Sequence, residues 1–301
     1  MSVRVLSRNK SGGAALPQVH HRTWFRETLA RLFKNKGATA ALIVLAILAV
    51  VIVFAPVFAP YDPTKVDTKN TDSPPSLSHP LGTDTIGRDI LSRIIFGGRL
   101  TVLVGVVAIA IAVGFGMPLG MIAGYYGSWA DRLISRFMDV MLAFPGILLA
   151  LVVVAVLGSS VLNVTIAVGI SLIPGFVRLV RSSFLAARDQ VYVEAARVIG
   201  VGNGRIILRH ILPNVLAPVM VLASVAMGWA IIIGAALSFL GLGAQAPTPE
   251  WGTDLASGRE WIRTAWWMST FPGVAITIVV IAVNLIGDGL RDALDPRLRN
   301  R

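Results

Sequence analysis

The sequence has no cysteine, and only 14% of its 301 residues are charged. The first absence excludes disulfides and thiolate metal sites. The second excludes an ordinary soluble domain, in which roughly 25% of residues carry charge. Signatures of chemistry are missing too. There is no Gly-x-x-x-x-Gly-Lys-Ser/Thr loop to cradle ATP phosphates, no His-Glu-x-x-His and no Gly-x-Ser-x-Gly. The glycines at 200, 202 and 204 do not form a dinucleotide loop, because Arg205 stands where a further glycine is required and no strand precedes them. The four histidines, His20, His21, His79 and His210, are scattered, so no metal site is expected. Asp84, Arg88 and Asp89 read as an outer-face structural or docking group, and a membrane-embedded enzyme is the weaker class.

Apolar residues make up 55% of the chain and the mean hydropathy is +0.73. Residues 37–60, 102–124, 140–177, 211–249 and 265–287 contain no Asp, Glu, Lys or Arg. About 20 helical residues cross the hydrocarbon core. The first, second and last runs each hold one span. The run 140–177 holds two, joined at Gly158-Ser159-Ser160 and Asn163. The run 211–249 holds one, because Gly241 to Pro247 reads as irregular. The expectation is an all-α polytopic membrane protein with six transmembrane helices.

Lys and Arg divide unevenly between alternate loops. With the amino terminus placed in the cytoplasm, twenty lie inside and seven outside, which puts both termini in the cytoplasm. The net charge of +11 then reads as a topology signal and an attraction to the lipid membrane's anionic headgroups, and no nucleic acid is expected as a partner. The first apolar run starts late and is long enough to remain as an anchor rather than a cleaved signal. Residues 1–36 read as a basic cytoplasmic tail, in which Trp24 to Phe33 suits a short surface helix. Residues 37–60 read as the first span, 61–98 as an outer loop with an interfacial helix from Ile90, 99–290 as a five-span core, and 291–301 as a cytoplasmic tail. The span interiors are almost free of ionisable groups, since Asp139, Arg178 and Asp288 fall near the inner ends, and no inverted half-repeat is evident. These features count against the rival reading, a self-sufficient ion-coupled carrier, and the driving energy is expected from elsewhere.

In the second span, Ala108, Ala112, Gly116, Gly120 and Gly124 recur every four residues. Such a stripe lets another helix approach closely in lipid. Pro118 is expected to bend this span. Trp251, Trp261, Trp266 and Trp267 suggest an interfacial aromatic belt.

The longest charged stretch between spans, Arg178 to Arg209, contains Glu194-Ala195-Ala196, then Gly200, then His210-Ile211-Leu212-Pro213-Asn214. This resembles the signature of permease subunits in ABC importers, with His210 departing from the general pattern. Leu81-Gly82-Thr83-Asp84, Gly87-Arg88-Asp89, Leu237 to Gly243, Pro247 to Gly252 and Gly287 to Pro296 are similar to segments of the dipeptide and oligopeptide (DppC/OppC) branch. The resemblance covers roughly residues 35 to 298. It implies a type I ABC importer permease fold with a coupling helix near 192–204. Glu194, Ala195, Ala196, Gly200, Leu212 and Pro213 would couple to an ATPase subunit, and Gly82, Thr83, Asp84, Gly87, Arg88 and Asp89 would form the outer-loop motif. The physics agrees, since Glu-Ala-Ala makes a slim helix, Gly200 permits a turn, and Ile206 to Leu208 begin a second helix that Pro213 ends or kinks. The implied partners are a second homologous permease (DppB/OppB type), two ATP-binding subunits and an extracytoplasmic solute-binding protein. No cofactor is expected in this chain, with ATP and Mg held by the ATPase subunits. Dipeptides or oligopeptides are the implied substrates, and glutathione, nickel chelates or other small solutes the alternative.

Overall fold

The structure, a computed structural model, describes residues 30–294. Residues 24–29 of the segment Trp24 to Phe33, and Asp295-Pro296 of the terminal motif, lie outside the described residues. The main helices are α1 (Lys36–Val53), α2 (Ile90–Tyr126), α3 (Ser128–Leu142), α4 (Gly146–Leu157), α5 (Val161–Arg188) and α6 (Val191–Val198), followed by α7 (Asn203–Phe239), α8 (Trp251–Gly258) and α9 (Trp267–Leu294). Among the described residues the sole β pairing is an isolated bridge between Thr83 and Asp89. Helices dominate because backbone N–H and C=O groups in hydrocarbon must be satisfied within their own segment.

Five helices, α1, α2, α5, α7 and α9, are long and apolar enough to cross a membrane, and α3 with α4 form a pair bent by 92°. The packing decides how that pair counts. A Cβ built on Gly116 would lie 2.6 Å from Phe176 Cβ, one on Gly120 would lie 2.7 Å from Val180 Cβ, and one on Gly124 would lie 2.6 Å from Phe184 Cβ. The contacts advance by four residues on both helices together, so α2 and α5 run side by side in the same direction. The chain between them must return across the bilayer, and only α3 and α4 are available to do it. The ends agree, because Leu32 just before α1 and Ala38 in its first turn pack with Ala293 at the end of α9. An even number of crossings follows, and it is six.

The third crossing differs from the straight helix expected after Val140. The helix α4 has 12 residues, about 18 Å at 1.5 Å per residue, short of the roughly 30 Å core. The break falls at Ala143-Phe144-Pro145, where the proline ring excludes a continuing α-turn. The helix α3 is held to α5 by Arg181, whose Nη2 donates to Asp131 Oδ2 at 2.7 Å. Pro118 lies inside α2, which remains assigned as one helix of 37 residues. The segment from Ile90, read as an interfacial helix, is the opening of that same helix.

Another difference concerns α7. Pro213 does not end a preceding helix. Residues Ile206–Ile211 form a π-helical segment that runs directly into Leu212–Phe239, with Pro213 in the first turn. The wider turn accommodates a residue with no N–H to donate.

The α2–α5 contact generates a stability prediction. Gly120→Ala adds a methyl 2.7 Å from Val180 Cβ and 2.8 Å from Val177 O, so it is expected to destabilise by about 1–3 kcal/mol. Gly114→Ala, where a Cβ meets nothing within 4 Å, is expected to be neutral or stabilising by up to about 1 kcal/mol. Thermal unfolding of the purified protein in detergent distinguishes the two, and equal melting temperatures would contradict the close-approach account.

Candidate functional site

Two regions at opposite ends of the spans carry the motif residues. The first is α6 with its flanking turns. Gln190 precedes the helix, and Val193 and Ala196 are buried against Phe184 of α5 and Ile206 and Ile211 of α7. Glu194 and Ala195 are exposed on the opposite side. They are bordered by Val191, Val198 and Ile199, which are 80%, 82% and 78% exposed. The helix ends as the glycine predicts. Gly200 has φ +82°, its N–H reaches Arg197 O at 3.0 Å, and Val201 N reaches Ala196 O at 3.0 Å. A left-handed residue closing a helix in this way is normally glycine. Asn203 Oδ1 then accepts from the Tyr125 hydroxyl at 2.8 Å, and Arg197 lies over the Tyr125 ring at 5.6 Å. The α6 unit is thus tied to the ends of α2, α5 and α7.

Of the six residues grouped by motif, Glu194, Ala195, Gly200 and Pro213 are exposed, Leu212 is half-buried, and Ala196 faces inward as packing. The apolar border was not singled out from sequence. Its signal was available, in apolar residues flanking Glu-Ala-Ala within a charged stretch. His210 is half-buried and contacts Arg205 O through Nδ1 at 3.2 Å.

The second region caps the other end. Residues 59–89 form a loop ordered by short polar side chains. Asp84 Oδ1 accepts from the Ile86 and Arg88 backbone N–H groups at 3.0 and 2.8 Å, and its Oδ2 accepts from Arg88 Nε at 2.6 Å. Thr83 Oγ1 donates to Asn70 O at 2.5 Å and accepts from Ser73 N at 3.0 Å. Asp89 caps α2, accepting from Ser92 N at 2.8 Å and Ser92 Oγ at 2.7 Å, and its other oxygen contacts His79 Nδ1 at 3.0 Å. Gly87 has φ +81°, and a Cβ there would collide with Asp67 O. The outer motif is therefore a folded knot whose polar groups are largely turned on one another.

That knot is bolted to the bundle. Arg93 in α2 donates through Nε to Asp254 of α8 at 2.9 Å, and through Nη1 to Pro63 O at 3.1 Å and Pro247 O at 3.2 Å. Glu250 caps α8, accepting from Gly252 N at 3.0 Å and Thr253 N at 2.9 Å, and also takes the Thr101 hydroxyl at 3.1 Å. All three charged side chains are buried. Asp254 Oδ2 has no partner. Burial pushes the Asp254 carboxyl up to about 6, against the pull of Arg93; Glu250 adds to the rise and Arg88 opposes it. Trp251 and Trp267 are buried here, with indole N–H groups donating to Ile94 O at 2.8 Å and Thr83 O at 3.1 Å. The aromatic-belt expectation is corrected for these two: their N–H groups find backbone acceptors inside the cap, which lets the indoles bury. Trp261 and Trp266 remain exposed. Among the described residues no cluster of His, Asp and Glu suited to a metal occurs.

The bundle thus has six crossings, an exposed helix tied to three span ends and a folded cap at the opposite end. The fold is similar to a chain of the MetNI methionine ABC transporter in an inward-facing conformation, with TM-score 0.54 and 17% identity, covering 67% of this chain and 97% of that one. Residues 116–300 match the family model of the binding-protein-dependent transport system inner membrane component, and residues 23–75 match the N-terminal transmembrane domain of oligopeptide transport permease C. The chain belongs to this family of ABC importer permeases. It is 49% identical to the dipeptide transport system permease protein DppC of Alkalihalophilus pseudofirmus, over 92% of this chain and 91% of that one. It is 45% identical to the di/tripeptide transport system permease protein DppC of Pseudomonas aeruginosa, over 88% and 90%. It is 43% identical to the glutathione transport system permease protein GsiD of Pectobacterium atrosepticum, over 97% and 99%. It is a multi-pass protein of the inner membrane.

Two predictions concern the cap. Arg93→Met strands the Asp254 carboxylate and is expected to cost about 3–5 kcal/mol, while Arg93→Met with Asp254→Leu recovers most of that loss. Chemical denaturation in detergent measures both, and a double variant no more stable than the single one would refute the pairing. The second prediction concerns pH. A raised folded-state pKa means that Asp254 contributes most below the ordinary carboxylate range and loses that contribution as pH rises to about 6. Asp254→Asn is therefore expected to remove a fall in melting temperature between about pH 4 and pH 6, seen by comparing the two proteins across that interval.

Proposed function

We propose that this chain forms half of a peptide translocation pathway and couples it to ATP use on other subunits. The partner across the pathway is a second homologous permease of DppB/OppB type. Two ATP-binding subunits, which hold ATP and Mg, sit on the α6 side, and an extracytoplasmic solute-binding protein docks on the cap side. Both termini lie in the cytoplasm, which follows from the Lys and Arg excess on the α6 side. The observation that carries the coupling role is the exposed face of α6, Glu194 and Ala195 ringed by Val191, Val198 and Ile199. A short helix fixed at both ends to α5 and α7 converts a push on this face into movement of two spans. ATP then shifts the population between outward- and inward-open packings through its differential affinity for the two.

Dipeptides or short peptides are the substrates most consistent with the relatives named dipeptide and di/tripeptide permeases. Glutathione is the second reading, favoured by relatives at 43–47% identity named glutathione permeases.

Glu194→Arg reverses charge on the docking face while touching nothing buried. In complexes reconstituted with the partner subunits it is expected to leave assembly in the membrane intact and to lower peptide uptake per ATP hydrolysed by about tenfold or more, on the scale of a removed interfacial charge. Uptake and ATPase rates measured on the same proteoliposomes provide the test; wild-type coupling would sink the assignment. Gly200→Val, forced into a left-handed conformation, should act in the same direction.

A further inference from the structure

On the α6 side of the spans a groove of about 770 Å³ opens between α5, α7 and α9. This volume lies within the range of roughly 300–1,000 Å³ usual for small-molecule sites. Its α5 wall is Gly175, Arg178, Leu179 and Ser182, of which Gly175, Arg178 and Ser182 are exposed along one helical face. Elsewhere the outward faces carry Ile43, Ile47 and Val50 on α1 and Leu103, Val106 and Phe115 on α2. A Cβ on Gly175 would meet nothing within 4 Å, so this glycine serves no close packing within the chain. Val221 and Leu222 of α7 line it with apolar surface, and α9 contributes Arg291.

Two guanidinium groups from different helices therefore stand beside an apolar floor. Arg178 also reaches Asp139 Oδ1 at 3.3 Å, with the two side chains 65% and 62% exposed. An ion pair so open to solvent contributes little and exchanges readily for a competing carboxylate. Guanidinium offers paired donors that match a carboxylate, and it repels an ammonium group.

We propose that this groove holds the C-terminal carboxylate of a short peptide on its way through the bundle, with Arg178 and Arg291 as the carboxylate ligands and Val221 and Leu222 against the peptide's side chains. The proposal rests on the peptide-import reading and deepens it. The site is open to the compartment that α6 faces, so peptide accumulated there occupies it and slows further uptake.

The test uses the assembled transporter in proteoliposomes, oriented for uptake and preloaded with Ala-Ala or its C-terminal amide, while entry of labelled Ala-Ala is followed. Internal Ala-Ala is expected to inhibit and the amide to inhibit far less. In Arg178→Gln and Arg291→Gln the internal Ala-Ala concentration that halves uptake should rise about tenfold, the scale of one charge-assisted hydrogen bond. Arg178→Lys and Arg291→Lys, which keep the charge without the paired donors, should fall between and carry the same measurement if a Gln variant imports nothing. Equal inhibition by acid and amide, absent inhibition, or unchanged sensitivity in the variants overturns the carboxylate site. Loss of co-purifying phosphatidylglycerol from the variants, with unchanged sensitivity to Ala-Ala, would identify a lipid groove instead and overturn it too. A wild-type complex that imports no peptide at all overturns the peptide reading and this proposal with it.

Discussion

The arrangement depends on one contact, the approach of α2 and α5 along a row of positions that have no room for a side chain. Lipid offers little hydrophobic gain for bringing two helices together, so close van der Waals packing has to supply the attraction. Gly116, Gly120 and Gly124 admit Phe176, Val180 and Phe184 to direct contact with the α2 backbone. Because these two helices run the same way, the intervening chain has to turn back through the membrane. The contact also fixes the end of α5, and with it Phe184, on which Val193 of α6 and Ile206 of α7 pack. The exposed helix is thus positioned by glycines two helices away from it.

The opposite end obeys different physics. There carboxylates and guanidinium groups are buried in a small folded cap beside an apolar cluster of Ile90, Ala265, Trp267 and Met268. Asp84, Asp89 and Glu250 spend their oxygens on backbone N–H groups at turns and helix starts. Asp254 is the exception, with one oxygen on Arg93 and the other without a partner. A single chain therefore carries a bundle whose ion pairs are few and lie toward the α6 end, and a cap dense in buried charge.

Much of this was legible in the residues. Charge-free runs marked the spans, four-residue spacing marked the α2 stripe, and Gly200 marked the end of α6. The bend at Pro145 was not drawn from the sequence although its signal was there: a proline between the charged, amphipathic Ser128–Leu142 and the wholly apolar Gly146–Leu157. The burial of Trp251 and Trp267 was hidden because an indole suits a membrane interface and a cap interior alike; only the acceptors at Ile94 O and Thr83 O decide between them. The pair Arg93 and Asp254 lies 161 residues apart in sequence, and each read alone is an ordinary loop charge. The groove beside Arg178 and Arg291 is a product of three helices meeting, and no one of their sequences contains it.

The π segment at Ile206–Ile211 has a consequence for how such a subunit can diversify. Inserting one residue into an α-helix rotates everything on one side of it by about 100° relative to the other, and a π turn is the form in which a helix accommodates the extra residue. In α7 that turn lies between the part adjoining α6 and the part packed within the bundle. The azimuth of the α6 attachment is thereby set independently of the azimuth of Val215, Val219 and Ala226 inside. A one-residue change in this stretch re-aims the α6 face and leaves the span's interior register as it was.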